Sequence, residues 1–217
     1  MISICTPTRG RPESFKKMCL SVLENASNLN DIEFVVYRDN DDESAYEYVG
    51  NHKEIRGERL YADPTYNMCQ KVATGPIYMF VPDDIIFETK DWDEQVKNVF
   101  DKFADKIIAV YFDNGTGFAF GVGCLHKNWI DTVGYFLNPD LCRRGDVWIS
   151  RIAKNLNRRV FLRRVVYKDQ NITEDQTHAE YLMEYERTNC YEQYHKMRPI
   201  RSRDQALLQT FIDNYNK

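Results

Sequence analysis

A buried strand that ends in two acids is encoded by Ile77-Tyr78-Met79-Phe80-Val81-Pro82-Asp83-Asp84. Burying a carboxylate without a partner costs several kcal/mol, so adjacent acids at the end of an apolar strand need a compensating charge. A divalent cation would supply that charge, and hard oxygen ligands suit Mg²⁺ or Mn²⁺ bridging a diphosphate. The same dipeptide is equally compatible with a solvated turn or a cap for the next element. The rest of the chain must distinguish the two interpretations.

Apolar runs and helical periodicities alternate along the first half of the chain. They predict strands at residues 2–6, 32–38, 77–81 and 107–112, and helices at 12–23, 43–49, 65–72 and 92–103. This order predicts an α/β fold with a mostly parallel central sheet joined by right-handed crossovers. Strands at 118–125 and 160–167 and helices at 127–133 and 146–156 predict a smaller mixed part. One or two outer helices are predicted from residue 174 onward.

Polar clusters follow three of the first four predicted strands: Thr6-Pro7-Thr8-Arg9, Asp39-Asn40-Asp41-Asp42 and Asp83-Asp84. In a parallel sheet, ligands bind beyond the carboxyl ends of the strands, so these clusters should converge on one crevice. Hydroxyl, amide, guanidinium and carboxylate groups at one edge are typical of a nucleotide site.

Composition indicates one soluble globular domain, because the 217 residues are 43% hydrophobic and 29% charged. No stretch approaches the roughly 18 uninterrupted apolar residues of a membrane span, and the chain starts with a strand rather than a signal peptide. We therefore expect no membrane span and a cytoplasmic location. The six cysteines show no close pairing, which indicates reduced core thiols rather than a disulfide framework or a zinc site.

The net charge of −4 conceals a basic segment, residues 142–168, which contains nine Lys and Arg residues and the single acid Asp146. Such a segment can meet an anionic partner, and it can equally be a solvated helix and strand face. Both interpretations stay open.

A family resemblance is carried in the first half of the chain by Ile2-Ser3-Ile4-Cys5-Thr6-Pro7-Thr8-Arg9-Gly10-Arg11-Pro12, Asp39, Tyr66-Asn67, Ala73-Thr74-Gly75-Pro76-Ile77 and Asp83-Asp84. In the second half it is carried by Phe118-Ala119-Phe120-Gly121-Val122-Gly123, Val133-Gly134-Tyr135-Phe136, Gly145-Asp146-Val147-Trp148 and Arg151. Over residues 2–159, these segments resemble GT-A fold nucleotide-sugar glycosyltransferases of the family 2 type. The resemblance implies a single GT-A domain. Residues 1–112 would form its nucleotide-sugar half, 113–170 its acceptor half and 171–217 a helical tail.

The resemblance also implies roles for individual residues on the donor side. Thr6, Pro7 and Arg9 would lie by the nucleobase and ribose, Asp39 would accept from the base or ribose, and Asn67 would help to wall the pocket. Asp83 would sit toward the ribose and metal, and Asp84 would be the principal ligand of Mn²⁺ or Mg²⁺ in the family's D-x-D element. Ile85 stands where a third acid is common, so the metal assignment belongs to the pair more than to either member.

Asp146 matches the position of the family's catalytic base. Displacing a nucleoside diphosphate from an anomeric carbon with inversion requires a carboxylate that takes the acceptor hydroxyl's proton. At the start of a predicted helix, Asp146 is also a candidate N-cap. His178 is the best histidine for a third metal ligand or a diphosphate contact, and Lys168 is a candidate phosphate partner.

The expected function is metal-dependent transfer of a sugar from a UDP-sugar to a glycan or other hydroxyl acceptor. A sugar nucleotidyltransferase is less well supported, because residues 6–12 contain only one glycine, Gly10, for holding a triphosphate. The compact length and the basic segment also suit a virus-type enzyme that glycosylates a modified base in DNA in the host cytoplasm. A non-catalytic nucleotide- or glycan-binding module is a further alternative.

Overall fold

The structure is a computed structural model that describes residues 1–116, 121–170, 179–180, 183 and 187–217. Its strands are β1 (Ile2–Thr8), β2 (Ile32–Asp39), β3 (His52–Gly57), β4 (Ile77–Phe80), β5 (Ile85–Phe87), β6 (Ala109–Asp113), β7 (Gly123–His126) and β8 (Arg159–Asp169). Its helices are α1 (Pro12–Glu24), α2 (Ala62–Val72), α3 (Trp92–Asp101), α4 (Lys127–Val133), α5 (Gly145–Asn155), α6 (Cys190–Lys196) and α7 (Arg198–Tyr215). A short 3₁₀ turn, Leu29–Asp31, precedes β2.

The strands form one sheet in the order β3-β2-β1-β4-β7-β6-β8-β5. The first four strands in this order are mutually parallel. β7 then runs antiparallel between β4 and β6, β8 is parallel to β6, and β5 is antiparallel to β8. The predicted α/β class is confirmed, with a parallel first half and a mixed second half.

Both faces of the sheet are covered, which explains why β1, β2 and β4 are buried along nearly their whole length rather than at alternate residues. One face packs on α1 and α3 through Phe15, Met18 and Trp92. The other packs on α2, α4, α5 and α7, with Trp129 and Trp148 buried there. The helices on this second face leave the carboxyl ends of β1, β2 and β4 open.

The predicted helix at 43–49 is wrong, because this segment has no regular secondary structure. Tyr46 and Tyr48 instead pack edge-on against Phe15 of α1, and the Tyr46 hydroxyl hydrogen-bonds to Asp42. These tertiary contacts outweigh a weak local helix propensity. Strand β3 was not predicted, because its exposure alternates along a polar edge sequence.

Cys142 and Cys190 form a disulfide, contrary to the expectation of thiols without a disulfide. Their separation of 48 residues carries no spacing signal. The other four cysteines, Cys5, Cys19, Cys69 and Cys124, are free and buried, as predicted. No helix in the described part of the chain combines the length and apolar composition needed to cross a bilayer. Residues 118–120 of the strand predicted at 118–125 lie outside the described residues, and β7 begins at Gly123.

Glu33 is a buried acid at the opposite edge of the sheet from these open strand ends. Its carboxylate accepts hydrogen bonds from the main-chain N–H groups of Thr74 and Gly75, at 2.5 and 3.1 Å, and from the Ser3 hydroxyl. Lys53 Nζ lies 3.1 Å from its second oxygen. Burial alone would raise the pKa of Glu33, but these hydrogen bonds outweigh it and lower the pKa to about 2.

We expect Glu33→Gln to destabilise the protein by about 2 kcal/mol at pH 7, because a charged acceptor of several hydrogen bonds is lost. The lowered pKa means that the carboxylate's contribution is complete above its unfolded pKa and disappears as pH falls through about 2. The difference between variant and wild type should therefore shrink below pH 4. Urea unfolding at pH 7 and pH 3 measures this, with the exposed Glu24→Gln as the matched control. An equal difference at both pH values would contradict the assignment.

Candidate functional site

A cleft of about 300 Å³ opens at the carboxyl ends of β1, β2 and β4. This is the edge where parallel strands place ligands. The residues that line it are Pro7, Thr8, Arg9, Arg11, Tyr37, Asp39, Arg59, Leu60, Ala62, Thr65, Tyr66, Pro82, Asp83, Asp84 and Arg143. The three polar clusters predicted to converge do meet here.

One side of the cleft is built around Arg9 and Asp39, at the ends of β1 and β2. Arg9 Nη1 lies 3.0 Å from Asp39 Oδ2, and the two guanidinium nitrogens lie 2.5 and 3.0 Å from the carboxylate of Asp41. Burial raises the pKa of Asp39, and the charge of Arg9 opposes that shift. Glu180 reaches the same place, with its carboxylate 2.8 Å from Arg59 Nη1 and 3.6 Å from Arg9 Nε. This side presents a carboxylate and two guanidinium groups to a ligand.

The Asp83–Asp84 pair forms the other side. Asp83 is buried, and its Oδ2 accepts a 2.7 Å hydrogen bond from the Thr8 hydroxyl. Arg11 Nη1 lies 3.5 Å from Asp83 Oδ1 and 3.4 Å from Asp84 Oδ2. Burial raises the pKa of Asp83 to about 6; the hydrogen bond from Thr8 opposes this, and the charge of Asp84 adds to it. Asp84 keeps 30% of its side chain exposed.

The main chain fixes the position of this pair. The Ser14 hydroxyl, in the first turn of α1, donates to the Asp83 carbonyl at 2.9 Å. The Gln170 N–H, just after β8, donates to the Asp84 carbonyl at 2.7 Å. Two elements distant in sequence therefore hold the turn after β4, and both acids line the cleft rather than the outer surface.

The pair has the chemistry of a partial metal site. No cluster of three or more His, Cys, Asp or Glu that could hold a metal is present among the described residues. Mg²⁺ and Mn²⁺, however, are commonly bound by one or two carboxylates together with waters and substrate phosphates. Asp84 has an accessible carboxylate, and burial, to which the charge of Asp84 adds, raises the pKa of Asp83, so a nearby cation would stabilise its ionised form. The residues present thus fit a divalent ion shared with a phosphate ligand.

Of the residues predicted for the site, Pro7, Arg9, Asp39, Asp83 and Asp84 line the cleft. The other three donor-side candidates lie elsewhere. Thr6 is fully buried within β1, and Lys168 pairs with Glu88 at 2.5 Å. The Asn67 amide binds the main chain of residues 136–137, accepting at 2.9 and 3.0 Å and donating at 2.7 Å. His178 lies outside the described residues.

Asp146 lies in the first turn of α5, close to the cleft-lining Arg143. The N-cap of α5 is Arg144, so Asp146 does not serve as the N-cap that its position suggested. Its Oδ2 instead accepts a 3.0 Å hydrogen bond from the N–H of Gly121. Burial raises the pKa of Asp146, and this hydrogen bond opposes the shift. Asp146 is not among the residues lining the cleft itself.

Asp63, in the first turn of α2, was missed by sequence reasoning. Its carboxylate accepts from the Gly145 N–H, and its Oδ2 has no hydrogen-bond partner in the described part of the chain. A Cβ on Gly145 would lie 2.9 Å from that oxygen, so glycine permits the close approach. Burial raises the pKa of Asp63 well above its usual value, and the charge of Asp146 adds to the shift. The only sequence signal was an acid before Pro64 at a helix start.

No protein-family model matches the sequence, and no curated protein matches it. Solved structures do resemble the fold. The mannosyltransferase PcManGT from Pyrobaculum calidifontis, in complex with GDP-Man and Mn²⁺, has a TM-score of 0.65 and 14% identity, over 98% of this chain and 73% of its own. S. aureus TarS 1-349 in complex with UDP has a TM-score of 0.61 and 15% identity, over 99% and 91%.

S. aureus TarS 1-349 in complex with UDP-GlcNAc has a TM-score of 0.59 at 15% identity, over 77% of this chain. The chain spans 57% of that TarS chain and 40% of another TarS structure. At these identities the likeness shows the fold, which is an α/β fold of the GT-A type.

We expect Asp63→Asn to stabilise the protein at pH 8. A carboxyl whose pKa is raised on folding penalises the folded state increasingly as pH rises above its unfolded value near 4, and asparagine removes that penalty while keeping the shape. The melting temperature should rise at pH 8 and change little near pH 4. The exposed Asp140→Asn is the control. A lower melting temperature for Asp63→Asn at pH 8 would mean that the ionised carboxylate is required.

Proposed function

We propose that the protein is a metal-dependent glycosyltransferase of the family 2 type that transfers a hexosyl or pentosyl group from a UDP-sugar to a glycan or other hydroxyl acceptor with inversion. The observation that carries the proposal is the cleft, where Arg9, Asp39, Asp83 and Asp84 meet at one sheet edge. Support comes from the shared fold, since the similar structures are complexes with UDP, UDP-GlcNAc, and GDP-Man with Mn²⁺.

On the donor side, Pro7, Arg9 and Asp39 contact the nucleobase and ribose in this proposal. Thr6 and Asn67 do not line the cleft but support it. Thr6 does so as part of β1, and Asn67 by holding the main chain of residues 136–137. Arg59 and Arg143 face the same cleft and suit the diphosphate. Guanidinium groups bind phosphate oxygens in a bidentate manner, which gives geometric selection as well as charge.

Asp84 and Asp83 would hold the Mn²⁺ or Mg²⁺ ion. When bound, such an ion neutralises charge on the departing diphosphate. Lys168 takes no part in the proposal, because its side chain is 69% exposed and pairs with Glu88 outside the cleft. A role for His178 rests on the resemblance alone.

Asp146 is proposed as the general base. Its carboxylate would take the proton of the acceptor hydroxyl as that oxygen attacks the anomeric carbon, with the nucleoside diphosphate leaving from the opposite face. A raised pKa makes a carboxylate a better proton acceptor, and burial produces that effect at Asp146. The Gly121 N–H fixes one of its oxygens.

The contacts favour neither the enzyme that glycosylates a modified base in DNA nor the non-catalytic binding module. Within the basic segment, Arg158 pairs with Asp105 at 3.0 Å and Lys168 pairs with Glu88, so part of the charge that would attract DNA is neutralised internally. A purely binding module would not need a buried carboxylate at Asp146. A modified base in DNA therefore stays a secondary candidate for the acceptor.

Donor class and metal dependence can be tested by thermal shift with UDP, GDP, CDP and dTDP, each with and without Mn²⁺. Ligand at 100 times Kd stabilises the folded state by about 2.7 kcal/mol. We expect UDP with Mn²⁺ to give the largest shift, and Asp84→Ala to abolish the Mn²⁺-dependent part while Asp140→Ala retains it. Unchanged UDP affinity of Asp84→Ala in Mn²⁺ would contradict the metal assignment.

The role of Asp146 can be tested with Asp146→Asn, which preserves an acceptor for the Gly121 N–H. Release of UDP from UDP-GlcNAc, with water as the acceptor, should fall about 10²- to 10⁴-fold while UDP binding stays unchanged. In the wild type, the acid limb of the rate profile should lie above the ordinary aspartate pKa, because the base must be deprotonated. Loss of UDP binding would indicate a structural role, and full turnover would show that Asp146 is not the base. UDP binding without any turnover by the wild type would favour the binding module.

A further inference from the structure

Arg11 lies between the two acids at the end of β4. A single guanidinium nitrogen, Nη1, is 3.5 Å from Asp83 Oδ1 and 3.4 Å from Asp84 Oδ2, and the side chain is 10% exposed. Its main chain is fixed, because its N–H donates to the Tyr46 hydroxyl at 3.2 Å and its carbonyl accepts from Phe15 at 3.0 Å. The guanidinium is therefore delivered to the acid pair from a rigid point at the start of α1.

The contacts of Arg11 with the pair are long. Well-formed charge-assisted hydrogen bonds measure about 2.7–2.9 Å, and the guanidinium of Arg9 reaches Asp39 and Asp41 at 2.5–3.0 Å. Arg11 instead shares one nitrogen between two carboxylates, beyond that range from both. It balances their charge without satisfying either oxygen closely.

A divalent ion would use the same oxygens more strongly. Mg²⁺–oxygen distances are about 2.0–2.1 Å, and the ion carries twice the charge of a guanidinium. Coulomb energy scales with charge and inversely with distance, so the attraction per carboxylate is about three times larger than at 3.5 Å in the same medium. Arg11 Nη1 lies between Asp83 Oδ1 and Asp84 Oδ2, so a metal ion that binds these same two oxygens and the guanidinium exclude each other there.

We propose that Arg11 is the internal counter-ion of the Asp83–Asp84 pair. A divalent cation displaces its guanidinium toward the part of the cleft that would hold the diphosphate. The inference rests on the metal assignment in the proposed function. Arg11 already lines the cleft, so the displaced group stays within it. Arg11 then weakens metal binding in the absence of nucleotide and strengthens nucleotide binding once the metal is present, which couples the two ligands.

The test is Mn²⁺ titration, followed by the electron paramagnetic resonance signal of free Mn²⁺, without nucleotide. Arg11→Gln should bind Mn²⁺ about tenfold or more tightly than wild type, within the usual range of coupling between sites. Arg9→Gln is the matched control: it removes the same charge from the same cleft but from a residue paired with Asp39 and Asp41. We expect it to change Mn²⁺ affinity much less. With saturating Mn²⁺, Arg11→Gln should bind UDP more weakly than wild type.

Equal Mn²⁺ affinities for Arg11→Gln and wild type, or equal gains in Arg11→Gln and Arg9→Gln, would overturn the proposal while leaving the proposed function intact. No Mn²⁺ binding by wild type in the presence of UDP would overturn both. Should Arg11→Gln fail to fold, Arg11→Lys serves as the second variant. Its shorter, single-point charge should give a smaller gain in Mn²⁺ affinity, and the absence of any gain would count against Arg11.

Discussion

The cost of burying Asp83 next to a second carboxylate at the end of β4 is the constraint on which the cleft depends. Asp83 is buried and tends toward protonation, as its pKa of about 6 shows. The Thr8 hydroxyl and the Arg11 guanidinium offset part of that tendency, and the Ser14 and Gln170 contacts to the main chain prevent the turn from rotating the acids outward. The fold thus keeps two acids together without fully neutralising them. That remaining negative charge is what a divalent ion would bind.

A layer of hydrogen bonds behind the acids supports this arrangement. The Tyr46 hydroxyl contacts Thr8 at 3.2 Å and donates to Asp42 at 3.1 Å, so the donor to Asp83 is itself oriented. Arg38 stacks over the Tyr46 ring at 4.1 Å and binds the Asp42 carbonyl at 2.9 Å. Burial raises the pKa of Tyr46 to about 12, which keeps the hydroxyl protonated and able to donate. The segment after β2 therefore has to keep its irregular conformation, because a helix at 43–49 would remove these contacts.

Sequence reasoning succeeded where local pattern and topology agree. The apolar runs of β1, β2 and β4 and the polar residues that follow them predicted both the strands and their convergence, because the ends of parallel strands must meet at one edge. The predictions from sequence failed where the structure depends on contacts with residues far away in the sequence. The antiparallel position of β7 between β4 and β6, the Cys142–Cys190 disulfide and the approach of Asp63 to Gly145 depend on packing between segments far apart in sequence. Arg11 and Arg59 carried no local signal that distinguished them from surface arginines.

The start of α5 shows how the C-terminal helices contribute to the site. The disulfide ties Cys142 to the first residue of α6, and the Trp148 indole donates to the buried Asp204 of α7 at 3.2 Å. These contacts fix the turn that carries Asp146 beside the start of α2. The positive ends of both helix dipoles would lower the pKa of Asp63, but a dipole contributes about 0.3–1 kcal/mol whereas desolvating a carboxylate costs several. The cost of burial is therefore the larger of the two effects, and it raises the pKa of Asp63. Burial raises the pKa of Asp146 as well, but there the Gly121 N–H opposes the shift, and this hydrogen bond favours the charged form that a general base needs.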